Sequence, residues 1–535
     1  MKSSASASPS TVAGAAPRGL PALDGRVMVV LAAVVAVAFA LGARSSPAGF
    51  LALAVAVLAV AAFAAMRWPL PTLVASAILT TVDLKISPRL LPAGLDAFPI
   101  GLSEPLLAVV GLSIAIGAVR RGTFLGAFRD PVLPLALLFV GLAVVSAVVN
   151  ATPPVVALLG IVMTLDALAI YFTVRMVPLD ERAATAAIAA IVLAVVAAAV
   201  FGLVQAVLGP DLLGFTAFRG NHGEGARITS FFGNPNMLAA GIGLAIPFAL
   251  FASLRLENAR WRWAARVALF VLACALLLTF SRGAWLAVAL GGIIGGLLVD
   301  WRAVPLLVLT VALAWGAVTV MPRATFPERA AGAQTDDGER GSESGGGRTN
   351  DGEGGGEGGT TPDADGPSIV DSTIQRLGDL GTRGRYLREG IPIILDHPFL
   401  GVGPGRYGGA AAKIIPSPVY EEYGTRLFGY RTVHNFWLHL LGEAGALGTA
   451  VFLTIIAGLL IRFVRAARTA TGPRFVVLAG ATTMLLVAVF HSFAEMIFEG
   501  NMPMLIIWLI LGIASLLAPS LRLMRRPEQP EAAAT

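Results

Sequence analysis

Charge is scarce in this 535-residue chain: Asp, Glu, Lys and Arg together make up 13% of it, about half the share of an ordinary soluble domain. Beside 56% hydrophobic residues, that deficit excludes a water-soluble globular fold. The single cysteine, Cys274, lies inside an apolar segment and excludes an internal disulfide or a Cys-x-x-Cys metal site. Lysine occurs only at Lys2, Lys85 and Lys413, so arginine carries nearly all the positive charge. Also missing are a phosphate-loop Gly-Lys-Ser/Thr and a His-Glu-x-x-His, which leaves an NTP-driven motor and a zinc hydrolase without support. The net charge of +6 would suggest nucleic acid for a soluble protein. Here the positives sit at the ends of apolar runs, where membrane orientation accounts for them.

What fills the chain is a series of apolar runs of about 17 to 25 residues. Each can cross a hydrocarbon layer of about 30 Å as a helix, and none shows the strict alternation of a membrane barrel. The expected fold is an all-α polytopic membrane protein with about 14 transmembrane helices, near 27–43, 48–66, 69–84, 103–119, 131–149, 155–176, 184–208, 236–253, 266–280, 283–299, 303–321, 435–461, 475–494 and 502–518. The run at 27–43 is long enough to be a retained first helix rather than a cleaved signal. Arginines at 120–121, 255–266, 462–474 and 522–526 fall on one side, which the positive-inside bias makes cytoplasmic, together with both termini.

The chain thus divides into a cytoplasmic tail (1–25), helices 1–11 (26–321), an external loop (322–434), helices 12–14 (435–519) and a second cytoplasmic tail (520–535). Within the loop, 330–367 is a Gly and acidic tract too poor in apolar residues to fold, and 368–434 regains helical spacing as an ordered cap.

Several polar groups stand out on the expected external face. Arg227 and Arg282 violate the topological bias and ask for anionic partners, with lipid phosphate or a bound phosphate group both fitting Arg282. Arg383, Arg385 and Arg388 add planar donors suited to phosphate oxygens, or else form a solvated face. In "SFFGNPN", Asn234 reads as a helix cap with Pro235 in the first turn and Asn236 just behind. "GVGPGRYGG" contains a formal G-x-G-x-x-G at 403–408, but no strand precedes it, so it reads as a turn. His434 and Asn435 open the twelfth span. A helix N-terminus disfavours imidazolium and suits a proton acceptor, while a capping or interfacial role fits equally. Asp166 in mid-span and the pair His491 and Glu495 would serve a proton-coupled transporter, the rival reading.

Taken in order, Arg227 with "SFFGNPN", "SRGAW", the arginine region before "DHPFLGVGPGRY", and "HNFWLHLLGEAGALG" resemble the O-antigen ligase and O-antigen polymerase (Wzy-type) family over roughly residues 200–515. The most specific element is His434-Asn435, nine residues, then Gly445-x-x-Gly448, with Glu443 between. The resemblance implies a GT-C-like glycosyltransferase at the outer face of the cytoplasmic membrane. It would be an inverting enzyme with a polyprenyl-pyrophosphate-linked glycan as donor and a glycan or glycolipid as acceptor, needing no cofactor, metal or nucleic acid. It casts His434 as the base for the acceptor hydroxyl, and Arg227 with Arg383 or Arg385 as pyrophosphate ligands. Ligation and polymerisation stay open, as does oligomeric state. Leu387 stands where the family often has an aromatic residue.

Overall fold

The computed structural model describes residues 47–79, 103–209, 211–212, 215–216, 227–321, 381–409, 411, 415, 419, 423, 433–499 and 502–518. The expected first span and the tract at 330–367 lie outside them. The helices are α1 (Pro47–Arg67), α2 (Pro69–Leu79), α3 (Ser103–Arg120), α4 (Val132–Val149), α5 (Pro154–Arg175), α6 (Glu181–Leu208), α7 (Pro235–Arg255), α8 (Ala259–Leu278), α9 (Arg282–Val299), α10 (Ala303–Val320), α11 (Gly381–Asp396), α12 (Phe436–Thr469), α13 (Gly472–His491) and α14 (Met502–Leu517). Among the described residues nine are long and apolar enough to cross a membrane, and four shorter apolar helices coincide with α1, α2, α3 and α14. The only strands among them are the two-residue antiparallel pair Asp211–Leu212 and Phe215–Thr216. The chain is an all-helical, multi-pass membrane protein.

Caps explain where several helices start. Asp180 accepts from Ala183 N (2.6 Å) at α6, Asn234 from Asn236 N (2.8 Å) at α7, and Asn258 from Arg260 N (2.9 Å) at α8, each satisfying a donor the helix cannot. The cap at Asn258 starts α8 seven residues ahead of the expected 266, and its early arginines still fit an interfacial first turn. α7 and α13 form the centre, with 83% and 78% of their most apolar stretch buried against 22% for α4. α9 lies close against α13 because Gly291 faces the Val487 backbone and Gly295 faces Thr483, the small-residue contact that lets membrane helices approach.

At one end of the bundle a buried ion cluster joins four elements. Asp130 Oδ2 meets Arg175 Nη1 at 2.9 Å and Arg462 Nη1 at 3.0 Å. Its Oδ1 accepts from Tyr171 and from Val132 N, and Arg462 also donates to the carbonyls of Ser515 and Ala518. This corrects two sequence-level expectations. α12 runs to Thr469 rather than ending near 461, because Arg462 is a buried partner of Asp130 and not an interfacial stop. Arg462, and Arg255 with its ion pair to Asp300, therefore tie elements together, a role their positions at the ends of apolar runs do not announce.

Asp130→Ala removes the carboxylate that pairs with the Arg175 and Arg462 guanidinium groups and is expected to cost about 3–5 kcal/mol. The measurement is the thermal unfolding midpoint of the detergent-solubilised protein, which falls for Asp130→Ala and holds near wild type for a control such as Asp180→Glu.

Candidate active site

Three helix N-termini and one turn converge here. Asn435 caps α12, its side chain accepting from Leu438 N at 3.0 Å. Phe436 N, the next backbone donor, bonds Ser492 O at 2.8 Å, which fixes the start of α12 to the turn after α13. His434, just before the cap, has φ +50°, a left-handed conformation uncommon outside glycine. Its side chain stays 43% accessible, and its Nδ1 lies 3.0 Å from Glu495 Oε2, whose carboxylate is 4% accessible. An Nδ1 proton donated to Glu495 makes Nε2 the basic nitrogen of the ring.

Glu495 extends the line. Its Oε1 accepts from Asn236 Nδ2 at 2.7 Å, and Asn236 Oδ1 accepts from Arg227 Nη2 at 2.9 Å. Arg227 Nε donates to Thr279 O at 2.8 Å, at the end of α8. Arg282 opens α9 three residues later, and its neighbour Gly283 packs directly on Ala494. Gln205 of α6 accepts from the backbones of Thr229 and Ser230, both at 3.1 Å, holding the arginine loop down. Of the four positive-φ non-glycine residues among those described, Ser230 and Phe280 lie near Arg227 and Arg282 and His434 carries the imidazole, while Ala151 sits in the turn between α4 and α5. Strain of this kind, of order 1–3 kcal/mol each, persists where the surroundings over-determine it and clusters at functional sites.

The Gly-rich element of the motif has a backbone explanation. α12 opens at Gly445, whose φ/ψ of 62°/−168° is not helical. The freed carbonyls of Gly442 and Glu443 accept from Val402 N (2.8 Å) and Gly403 N (3.1 Å), and the freed donors of Ala446 and Leu447 bond Pro398 O (2.8 Å) and Phe399 O (3.1 Å). "HPFLGVG" is thus laid edge-on into a broken helix, so that the interruption strands none of these four backbone groups. The 403–408 glycines form a turn, as expected. Tyr407, buried against Gly442, has its phenol pushed well above its ordinary value by that burial.

The structure therefore brings His434, Asn236 and Arg227 into one hydrogen-bonded line, with Arg282 beside it. Asn234 and Asn435 act as caps. Arg383 and Arg385 fall in the first turns of α11. Glu443 faces elsewhere: its Oε2 is 3.6 Å from His439 Nε2, and Glu499 Oε2 is 2.6 Å from the same nitrogen. Asp166 is exposed on α5. Glu495, grouped by helical spacing with His491, has His434 and Asn236 as hydrogen-bond partners. Gln205, His439 and Glu499 were not singled out from the sequence.

Residues 267–453 match the O-antigen ligase family model. The match runs from within α8 to the middle of α12 and takes in Arg282, Arg383, Arg385, His434, Asn435 and Glu443. No curated protein matches the chain. The match supports the O-antigen ligase and polymerase family, and with it a membrane-bound, glycosyltransferase-like enzyme of polysaccharide biosynthesis. Arg227, Asn236 and Glu495 stand outside the matched range and join its histidine through side-chain contacts.

Gly445→Ala places a Cβ against the Phe399 carbonyl at a positive φ. The expected outcome is detachment of the 398–403 strand from α12, seen as faster limited proteolysis within 398–409 than in wild type, with Gly458→Ala, where a Cβ meets open space, as the unaffected control.

Proposed function

We propose that this protein transfers a glycan from a polyprenyl-pyrophosphate carrier to a sugar hydroxyl at the external face of the cytoplasmic membrane, with both chain termini on the cytoplasmic side. The observation that carries this reading is the continuous line Arg227, Asn236, Glu495, His434, which ties an arginine to a half-exposed imidazole through the half-buried Asn236 and the buried Glu495.

In the proposed reaction, His434 Nε2 takes the proton of the acceptor hydroxyl while Glu495 holds Nδ1–H and stabilises the cation that forms. The acceptor oxygen attacks the anomeric carbon from the side opposite the pyrophosphate. A C–O bond forms as the C–O bond to phosphate breaks, and the configuration inverts. Arg227 and Arg282, with Arg383 or Arg385 from α11, neutralise the charge that grows on the leaving pyrophosphate. The bond broken is already activated, so the step draws on no nucleotide. The proton on His434 then passes to water or to the departing pyrophosphate, which restores the base. Ligation to a different acceptor and polymerisation of one repeat unit share this chemistry.

The test is purified protein in lipid with a polyprenyl-pyrophosphate oligosaccharide and candidate acceptors, read as glycan products on a gel. Wild type is expected to give a new glycosidic product. Solute movement across the bilayer without any product would instead favour a transporter. His434→Ala is expected to lower kcat by roughly 10²–10⁴-fold, the usual contribution of a general base, with donor affinity close to wild type. Arg227→Ala is expected to weaken donor binding, and equal loss of donor binding in His434→Ala would make the histidine structural. A cysteine placed at position 350 is expected to react with a membrane-impermeant thiol reagent from outside.

A further inference from the structure

The amide of Asn236 stands between two charges. Its Oδ1 accepts from Arg227 Nη2 at 2.9 Å, and its Nδ2 donates to Glu495 Oε1 at 2.7 Å. Chemistry fixes this orientation: a guanidinium only donates and an ionised carboxylate only accepts, so turning the amide over would set like against like at both ends. Each charged group is also held beyond the amide. Arg227 Nε donates to Thr279 O at 2.8 Å, and Glu495 Oε2 meets His434 Nδ1 at 3.0 Å. One neutral side chain therefore links the arginine loop and the end of α8 to the turn after α13 and the start of α12.

The backbone that carries the amide is itself fixed. Pro235 occupies the first turn of α7, and Asn234 Oδ1 accepts from Asn236 N at 2.8 Å. Asn234 and Pro235 thus suffice to open the helix, and the second asparagine of "NPN" adds nothing to the cap. What it adds is long-range. A carboxylate in its place would neutralise Arg227 and repel Glu495, and an aliphatic side chain would leave both contacts unmet. The amide satisfies both ends without adding charge, so Arg227 keeps its pull on an anion and Glu495 keeps an oxygen for the imidazole.

We infer that Asn236 is a positioning residue. Through Glu495 it holds the His434 ring with Nδ1 as the donor, and through Arg227 it holds a pyrophosphate ligand, so one side chain sets the base and the leaving-group site together. The leaving-group half rests on the transferase reading, whereas the orientation of the ring requires no catalysis.

Two variants separate the two ends. Asn236→Ala removes both contacts, while Asn236→Asp keeps an acceptor for Arg227 and sets a second carboxylate against Glu495. Full-length protein with isotopically labelled histidine, in nanodiscs, is read by solid-state NMR at alkaline pH, the His434 signals being those lost in His434→Ala. Wild type is expected to show the His434 proton on Nδ1, and Asn236→Ala to lose population to the Nε2–H form. Turnover and donor affinity are measured alongside. Asn236→Ala is expected to lower both, each by roughly 10- to 100-fold, with the thermal midpoint near wild type. Asn236→Asp is expected to keep donor affinity near wild type while its kcat, relative to wild type, falls as pH rises. Paired carboxylates share a proton at low pH, where the acid donates as the amide does, and lose it at high pH. His434, Arg227, Arg282 and His491 also lie around this pair and are common to both proteins, so the ratio isolates the pair. An unchanged His434 tautomer in Asn236→Ala, a pH-independent ratio for Asn236→Asp, or equal loss of donor affinity in the two variants overturns the inference. If wild type forms no glycan product the transferase reading falls, and the tautomer measurement still decides whether Asn236 positions His434.

Discussion

The backbone break at Gly445 is the constraint on which the candidate-site end of the structure depends. Inside a membrane protein a peptide group that leaves the helical ladder has no water to turn to, and each unmet group costs several kcal/mol. α12 opens where it does because Gly445 tolerates φ 62°. The four groups released are met by residues 398–403, which belong to the long segment between α10 and α12. The loop and the helix therefore stabilise each other: neither conformation is satisfied alone. This is a physical reason for "HPFLGVG" and Gly445 to occur in one chain, separated by some forty positions.

Fixing the outer part of α12 in this way also fixes its two histidines. His434 and His439 each meet a glutamate of the turn that follows α13, Glu495 at 3.0 Å and Glu499 at 2.6 Å, and Phe436 N bonds Ser492 O within the same contact. Two imidazole–carboxylate pairs and one backbone bond hold the turn against the helix start. The rotamer of Glu495 is further constrained from the far side by Asn236. His434 is oriented by groups that are themselves locked, which holds its imidazole at one angle although its own side chain is half exposed.

Much of the helical fold was legible because membrane physics writes it directly: long apolar runs, Asn234 with Pro235, and the Asn258 cap are local signals. Arg227 and Arg282 were legible as charges out of place. The contacts that assemble the site were not, because they are distant in sequence. Glu495 and His434 are 61 positions apart, Asn236 and Glu495 259, and Asp130 and Arg462 332. Helical periodicity grouped Glu495 with His491, four residues away, and nothing in one sequence reports that the carboxylate turns toward α12 instead. Arg462 misled for the same reason, since a buried ion pair and a positive-inside anchor look alike until the partner is seen.

Charges of both signs meet at the start of α12. Arg227 stands on the side that carries His434, with the Glu495 carboxylate between them through Asn236, and Glu443 and Glu499 face His439. In a low-dielectric site a charge that loses its counterpart stays desolvated without compensation. Each of these carboxylates meets an imidazole at the start of α12, so the turn after α13 and the start of α12 are held together by pairs in which a change at one partner strands the other.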